Sequence, residues 1–134
     1  MAEYRTVEGE PGAVNVLTNL TTFGAETGVG PIKVPAGSQR LAEFWVGGAV
    51  GNDTAGETGS ILMRLSGKGM TQGDQDFTIG GAGGGVTSTG SYAEPATIYP
   101  IRLIVTPNEN INVAVMVTDA DVLLGTVSIT LVFA

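Results

Sequence analysis

Hydrophobic and polar residues alternate with a period of two along much of this chain, and no stretch sustains the 3.6-residue period of an amphipathic helix. In Gln39 to Val46, Leu41, Glu43 and Trp45 face one way while Arg40, Ala42, Phe44 and Val46 face the other. In Ser60 to Ser66, Ile61, Met63 and Leu65 oppose Leu62, Arg64 and Ser66. Ile98 to Thr106 is rich in β-branched and aromatic residues. In Ile111 to Thr118, Ile111, Val113, Val115 and Val117 oppose Asn112, Ala114, Met116 and Thr118. Thr126 to Phe133 sets Val127, Ile129, Leu131 and Phe133 against Thr126, Ser128, Thr130 and Val132. These five runs predict strands. Tyr4 to Val7, Val14 to Leu17, Val29 to Val34, Phe77 to Ile79 and Val86 to Tyr92 carry shorter versions of the same signal, which brings the expected number to eight to ten.

Turn chemistry fits between these runs. Val34-Pro35-Ala36-Gly37 matches a type I turn, with proline presetting φ at the second position. Thr106-Pro107-Asn108-Glu109-Asn110 separates two strong strands by a short connection and reads as a hairpin. Gly80 to Gly85 holds five glycines in six residues, a composition that weakens a regular strand and predicts a loop. Gly47 to Gly59 reads as a second loop rich in Gly, Asn and Thr. Many short strands with closely spaced turns predict an all-β fold, a two-sheet β-sandwich of jelly-roll-like type spanning residues 1–134 as one domain. Jelly-roll and immunoglobulin-like strand orders both fit this pattern.

A chain of 134 residues is long enough to bury a real core. Only 14% of its residues are charged and 43% are hydrophobic, against about 25% charged in ordinary domains. Much of the surface is therefore neutral or apolar, as expected where another subunit covers part of it. Ile98 to Val105 and Ile111 to Val117 offer apolar groups on both faces, which strengthens that expectation. Thirteen acids against six bases give a net charge of −7, and the bases are scattered singly, so direct nucleic-acid binding is not expected. No apolar run reaches the roughly 18 residues of a membrane span, and Met1-Ala2-Glu3-Tyr4-Arg5 lacks the features of a signal peptide. Synthesis in a cytoplasm without membrane insertion is the expectation.

The chain has no histidine and no cysteine, which removes Ser-His-Asp, Cys-His and thiolate metal chemistry. Two carboxylates suffice for glycoside hydrolysis, and Glu43, Glu94, Asp119 and Asp121 are the candidates, but thirteen acids supply such pairs by chance. The reading is a non-enzyme. Thr118-Asp119-Ala120-Asp121, Asp74-Gln75-Asp76 and Asn52-Asp53-Thr54 offer oxygens of the kind Ca²⁺ takes. None has the spacing of an EF-hand loop, and Asp and Asn in such places cap turns through side chain to backbone bonds, so no metal or cofactor is expected. Gly80 to Gly85 lacks the following Lys of a phosphate-binding loop. Asn19-Leu20-Thr21 and Asn52-Asp53-Thr54 match the glycosylation sequon, a coincidental match in a chain read without a secretory signal. Trp45, the only tryptophan, alternates with Phe44, so either a core Phe44 places Trp45 on an outer sheet face or the strand is covered on both faces and both are buried. With Tyr92 and Tyr99, Trp45 is the candidate interface or ligand surface.

The run Ile32-Lys33-Val34-Pro35-Ala36-Gly37 followed by a strand, and the three closing strands separated by Thr106 to Asn110 and Asp119 to Asp121, resemble the small jelly-roll structural proteins of icosahedral viruses and phages. The resemblance is one of pattern over about the last hundred residues. It implies a virion subunit, whether coat or decoration protein, that contacts other capsid subunits as a homo-oligomer. The acidic start, Glu3, Glu8 and Glu10 against Arg5, departs from the basic arm of coat proteins that condense a genome and favours a role without nucleic-acid contact. A phage tail or fibre-tip β domain shares the same physics. The competing expectation is a carbohydrate-binding, lectin-like module with Trp45, Tyr92 or Tyr99 as a stacking surface.

Overall fold

In the computed structural model the described residues are 2–9, 15–22, 31–52, 59–82, 90–118 and 122–134. Among them the chain forms ten strands and no helix, so none is long and apolar enough to cross a membrane. The strands are β1 (Glu3–Gly9), β2 (Thr18–Asn19), β3 (Thr21–Thr22), β4 (Ile32–Lys33), β5 (Arg40–Asn52), β6 (Gly59–Ser66), β7 (Gln75–Ala82), β8 (Gly90–Ile104), β9 (Asn110–Val117) and β10 (Val122–Phe133). They make two antiparallel sheets. One has the order β3-β1-β10-β5-β8, and the other β2-β9-β6-β7, with β4 also pairing β9. The chain passes from sheet to sheet at nearly every connection, and the order β1-β10-β5-β8 facing β2-β9-β6-β7 is that of a jelly roll rather than an immunoglobulin sandwich.

The two sheets close on a core that the alternation specifies. Ile61, Met63 and Leu65 of β6, Ile111, Val113, Val115 and Val117 of β9, and Val127, Ile129, Leu131 and Phe133 of β10 are all buried in it. Each face is thus assigned by the pleat, since side chains two apart share a side. At one lateral boundary Phe44 of β5 lies between Phe77 of β7 and Tyr99 of β8. Its ring centroid is 5.0 Å from Phe77 in a tilted pair and 4.8 Å from Tyr99 in a stacked one.

Several local expectations are corrected. β5 continues through Gly47 to Asn52 because it is a central strand, paired with β10 on one side and β8 on the other, and ladder bonds on both edges offset the poor strand propensity of glycine. β7 likewise takes in Gly80, Gly81 and Ala82; the rest of that expected loop, Gly83 to Gly85, lies outside the described residues, as do 53–58 of the other. Alternation in β5 breaks at Ala42. Leu41 pairs Phe133 and Glu43 pairs Val132, leaving Ala42 as a bulge, so Leu41 faces the core with Phe44 rather than the outside with Trp45.

The Thr106 to Asn110 segment is not a hairpin, because β8 and β9 belong to different sheets. It crosses over through a turn in which Asn108 takes φ 65°, a conformation asparagine tolerates. The Pro35 turn lies one residue later than expected, closed by Ser38 N to Pro35 O at 3.0 Å, because the Val34 carbonyl accepts from Asn108 N at 3.0 Å. Of Val14 to Leu17, residues 15–17 are not strand. The edge strands β2 and β3 flank buried Leu20 instead. The Val86 expectation is met only from Gly90, within β8, and residues 86–89 lie outside the described set.

Candidate interaction surface

The outer face of the five-stranded sheet follows from the registers of its four long strands. Tyr4, Val132, Glu43 and Pro100 form one cross-strand row, and Thr6, Thr130, Trp45 and Ile98 form the next. Trp45 therefore lies outside and Phe44 inside, as the alternation implies. The Trp45 Nε1 donates to Glu43 Oε1 at 3.0 Å, and its ring meets Tyr4 at 5.4 Å with the planes tilted by 53°. Thr6 and Thr130 share a hydrogen bond at 2.8 Å beside them. Val132, on the same face, is only 4% exposed, which is low for an outward residue and fits its place between Tyr4 and Glu43 in the row.

Around this centre the face stays apolar and open. Tyr4 is 53% and Ile98 55% exposed, Pro100 is exposed next to Ile98 on the same side of β8, and Ile104, 54% exposed, lies beyond Arg102. Isolated apolar residues on a surface are normal, whereas Tyr4, Ile98 and Pro100 gathered about the tryptophan make this face the candidate interaction surface. At one corner Arg40 pairs Ile104 in register, and Arg40 and Arg102 line the same open depression of about 510 Å³ with Gln39 and Ile104. Neither guanidinium makes an ion pair with a described residue. Glu8 sits on the same face at the far end of β1, opposite Ser128.

Tyr99 is not on this surface. It pairs Phe44 in register, its ring stacks on Phe44, and its hydroxyl donates to the Ile79 carbonyl at 3.2 Å. Ile79 is the residue skipped where β7 bulges against β6, since Ile61 pairs Gly80 and Leu62 pairs Thr78, so Tyr99 supplies a partner to backbone the ladder leaves out. Tyr92 pairs Val50 on β8, and its side chain lies outside the described residues.

Of the acids considered for chemistry, Glu43 holds the Trp45 indole. Asp76 accepts two hydrogen bonds from Arg64 across β6 and β7, at 2.7 and 2.9 Å. That hydrogen bonding is the main cause that holds the Asp76 carboxyl below the ordinary aspartate value, with the positive charge of Arg64 adding to it. Asp74 is exposed at the turn before β7. Asp53, Asp119 and Asp121 lie outside the described residues, as does the Glu94 side chain. Among the described residues no three acids come together as a metal site would require.

The sequence singled out Trp45 but missed Tyr4, Ile98 and Pro100 beside it and Ile104 further along β8. The signal was present in the two-sided apolar character of Ile98 to Val105. What it lacked was the register that sets β8 beside β5 and brings β1 within reach through β10. No family model matches the chain, and no curated protein matches it.

Proposed function

We propose that this chain is a structural subunit of a virion, part of the shell or a decoration upon it, that acts by self-assembly and not by catalysis. The observation that supports this best is the open apolar face around Trp45 and Tyr4 on a jelly-roll sandwich. The sheet edges favour assembly by faces over strand addition. β8, at the end of its sheet, contains Pro95 and Pro100, β7 is bulged at Ile79 and β3 is two residues long, all features that discourage edge-to-edge pairing. A flat sugar platform is less well served, because the Tyr4 and Trp45 rings are tilted against each other and Tyr99 points into the core.

Two measurements test the proposal. Sedimentation of the purified protein is expected to show concentration-dependent association that Y4S/I98S abolishes without unfolding the domain. Mass spectrometry of particles from the source is expected to find the chain. A monomer at all accessible concentrations that is absent from particles and retained on a glycan array would overturn the reading in favour of the sugar-binding module.

A further inference from the structure

We propose that the apolar face binds the same face of a second copy with the strands of the two sheets crossing at roughly 70°, nearer the orthogonal than the aligned of the two preferred sheet-on-sheet geometries. This deepens the assembly reading and rests on it. The occupant is identified by the distribution of charge. Arg40 and Arg102 sit at the lower end of β5 and β8, and Glu8 sits at the upper end of β1. With strands about 4.8 Å apart and a rise of about 3.3 Å per residue, Glu8 and Arg102 stand about 24 Å apart on one diagonal of the face. All three lack an ion pair with a described residue.

A face-to-face pair of identical copies is related by a two-fold axis lying in the contact plane. Such an axis through the midpoint of that diagonal and perpendicular to it carries Arg102 onto the partner's Glu8 and Glu8 onto the partner's Arg102. The same ladder spacing puts Trp45 and Tyr4 close to that axis, so each aromatic side chain faces its own counterpart. An axis along the strands brings Glu8 opposite the upper part of β8, and an axis across them brings it opposite the Tyr4 end of β1. Only the axis perpendicular to the diagonal pairs the charges. Rim charges of this kind fix orientation more than affinity.

The described face measures roughly 500 Å² in plan, below the approximately 800 Å² per partner of a standard stable complex. The isolated pair is therefore expected to be weak, with dissociation in the micromolar range, and to depend on many repeated contacts for permanence.

The absence of native cysteine makes the arrangement directly testable by cross-linking. Glu8→Cys and Arg102→Cys proteins, mixed at about 100 µM under mild oxidation, are expected to give at least about fivefold more disulfide dimer than either alone. Independently, E8R and R102E are each expected to weaken self-association about fivefold, and the double variant E8R/R102E to return to within about twofold of the parent. Self-association that persists while each cysteine variant cross-links with itself as well as with the other, or while the double variant fails to recover, overturns the diagonal arrangement and leaves assembly standing. A parent protein that stays monomeric and binds no particle overturns both.

Discussion

Replacing Phe44 by alanine probes whether the two sheets are joined where β5, β7 and β8 meet. The Phe44 side chain has no exposed surface, so the substitution removes a full ring from a packed site and leaves a cavity, a change that costs about 3–5 kcal/mol. Its two ring partners, Phe77 at 5.0 Å and Tyr99 at 4.8 Å, each contribute about 0.5–1.5 kcal/mol within that total, beyond simple burial. Phe44→Leu retains most of the apolar volume and loses the ring pairing, so about 1–2 kcal/mol is expected. Against a domain stability of about 5–15 kcal/mol, the alanine variant sacrifices a large fraction yet remains measurable. Urea melts read this as a fall in midpoint of roughly 2 M at an m-value near 2 kcal/mol/M. A double-mutant cycle of Phe44→Leu with Phe77→Leu should return a coupling of about 0.5–1.5 kcal/mol. A loss below about 1.5 kcal/mol for Phe44→Ala, or a coupling near zero, would refute the placement of this ring between the sheets.

Phe133→Ala should cost a similar amount, about 3–5 kcal/mol, because Phe133 is fully buried near the end of β10; a urea-melt loss below about 1 kcal/mol would mean that the ring faces solvent or a neighbour. Gly69→Ala should destabilise by about 1–3 kcal/mol, since an added Cβ would stand 2.6 Å from Ile111 Cγ1 and 2.9 Å from the Asn110 carbonyl; an unchanged melting temperature would show that this turn yields. For Asp76, the hydrogen bonds from Arg64 lower the folded-state pKa, so its contribution is present above the unfolded aspartate value and lost as pH falls through the folded one. Carboxyl NMR should place its midpoint below the ordinary aspartate value in the parent and return it to that value in R64M. Equal midpoints in the two proteins would show that this exposed pair does not persist in solution.

The fold was legible wherever alternation was uninterrupted. Val127, Ile129, Leu131 and Phe133 were assigned to one face by spacing alone, and all four are buried. Reading failed where pairing outweighed local preference. Gly47 to Asn52 looked like a loop because glycine disfavours strands, but neighbours on both sides hold it in the sheet. Leu41 was put on the wrong side because a single bulged residue at Ala42 inverts the alternation on one side of it, and nothing in the composition announces a bulge. For the candidate surface, Trp45 was found from its contrast with Phe44. Tyr99 was drawn in as a tyrosine near a strong strand, yet its pairing with Phe44 turns it inward. Tyr4 was missed because its proximity to Trp45 depends on β10 lying between them, a relation between distant segments that only the register reveals.

The position of β10 also governs when the protein can fold. It lies between β1 and β5 in the sheet, with Glu3 paired to Phe133 and Leu41 paired to the same residue. During synthesis β1 and β5 emerge early and must wait, unpaired with each other, for the strand that joins them. The sheet cannot form in vectorial order from the ribosome, and its completion belongs to the interval after Phe133 clears the exit tunnel. With contacts so distant in sequence, refolding should fall in the slow range of milliseconds to seconds, and until β10 is free to insert the central seam of the sheet stays open.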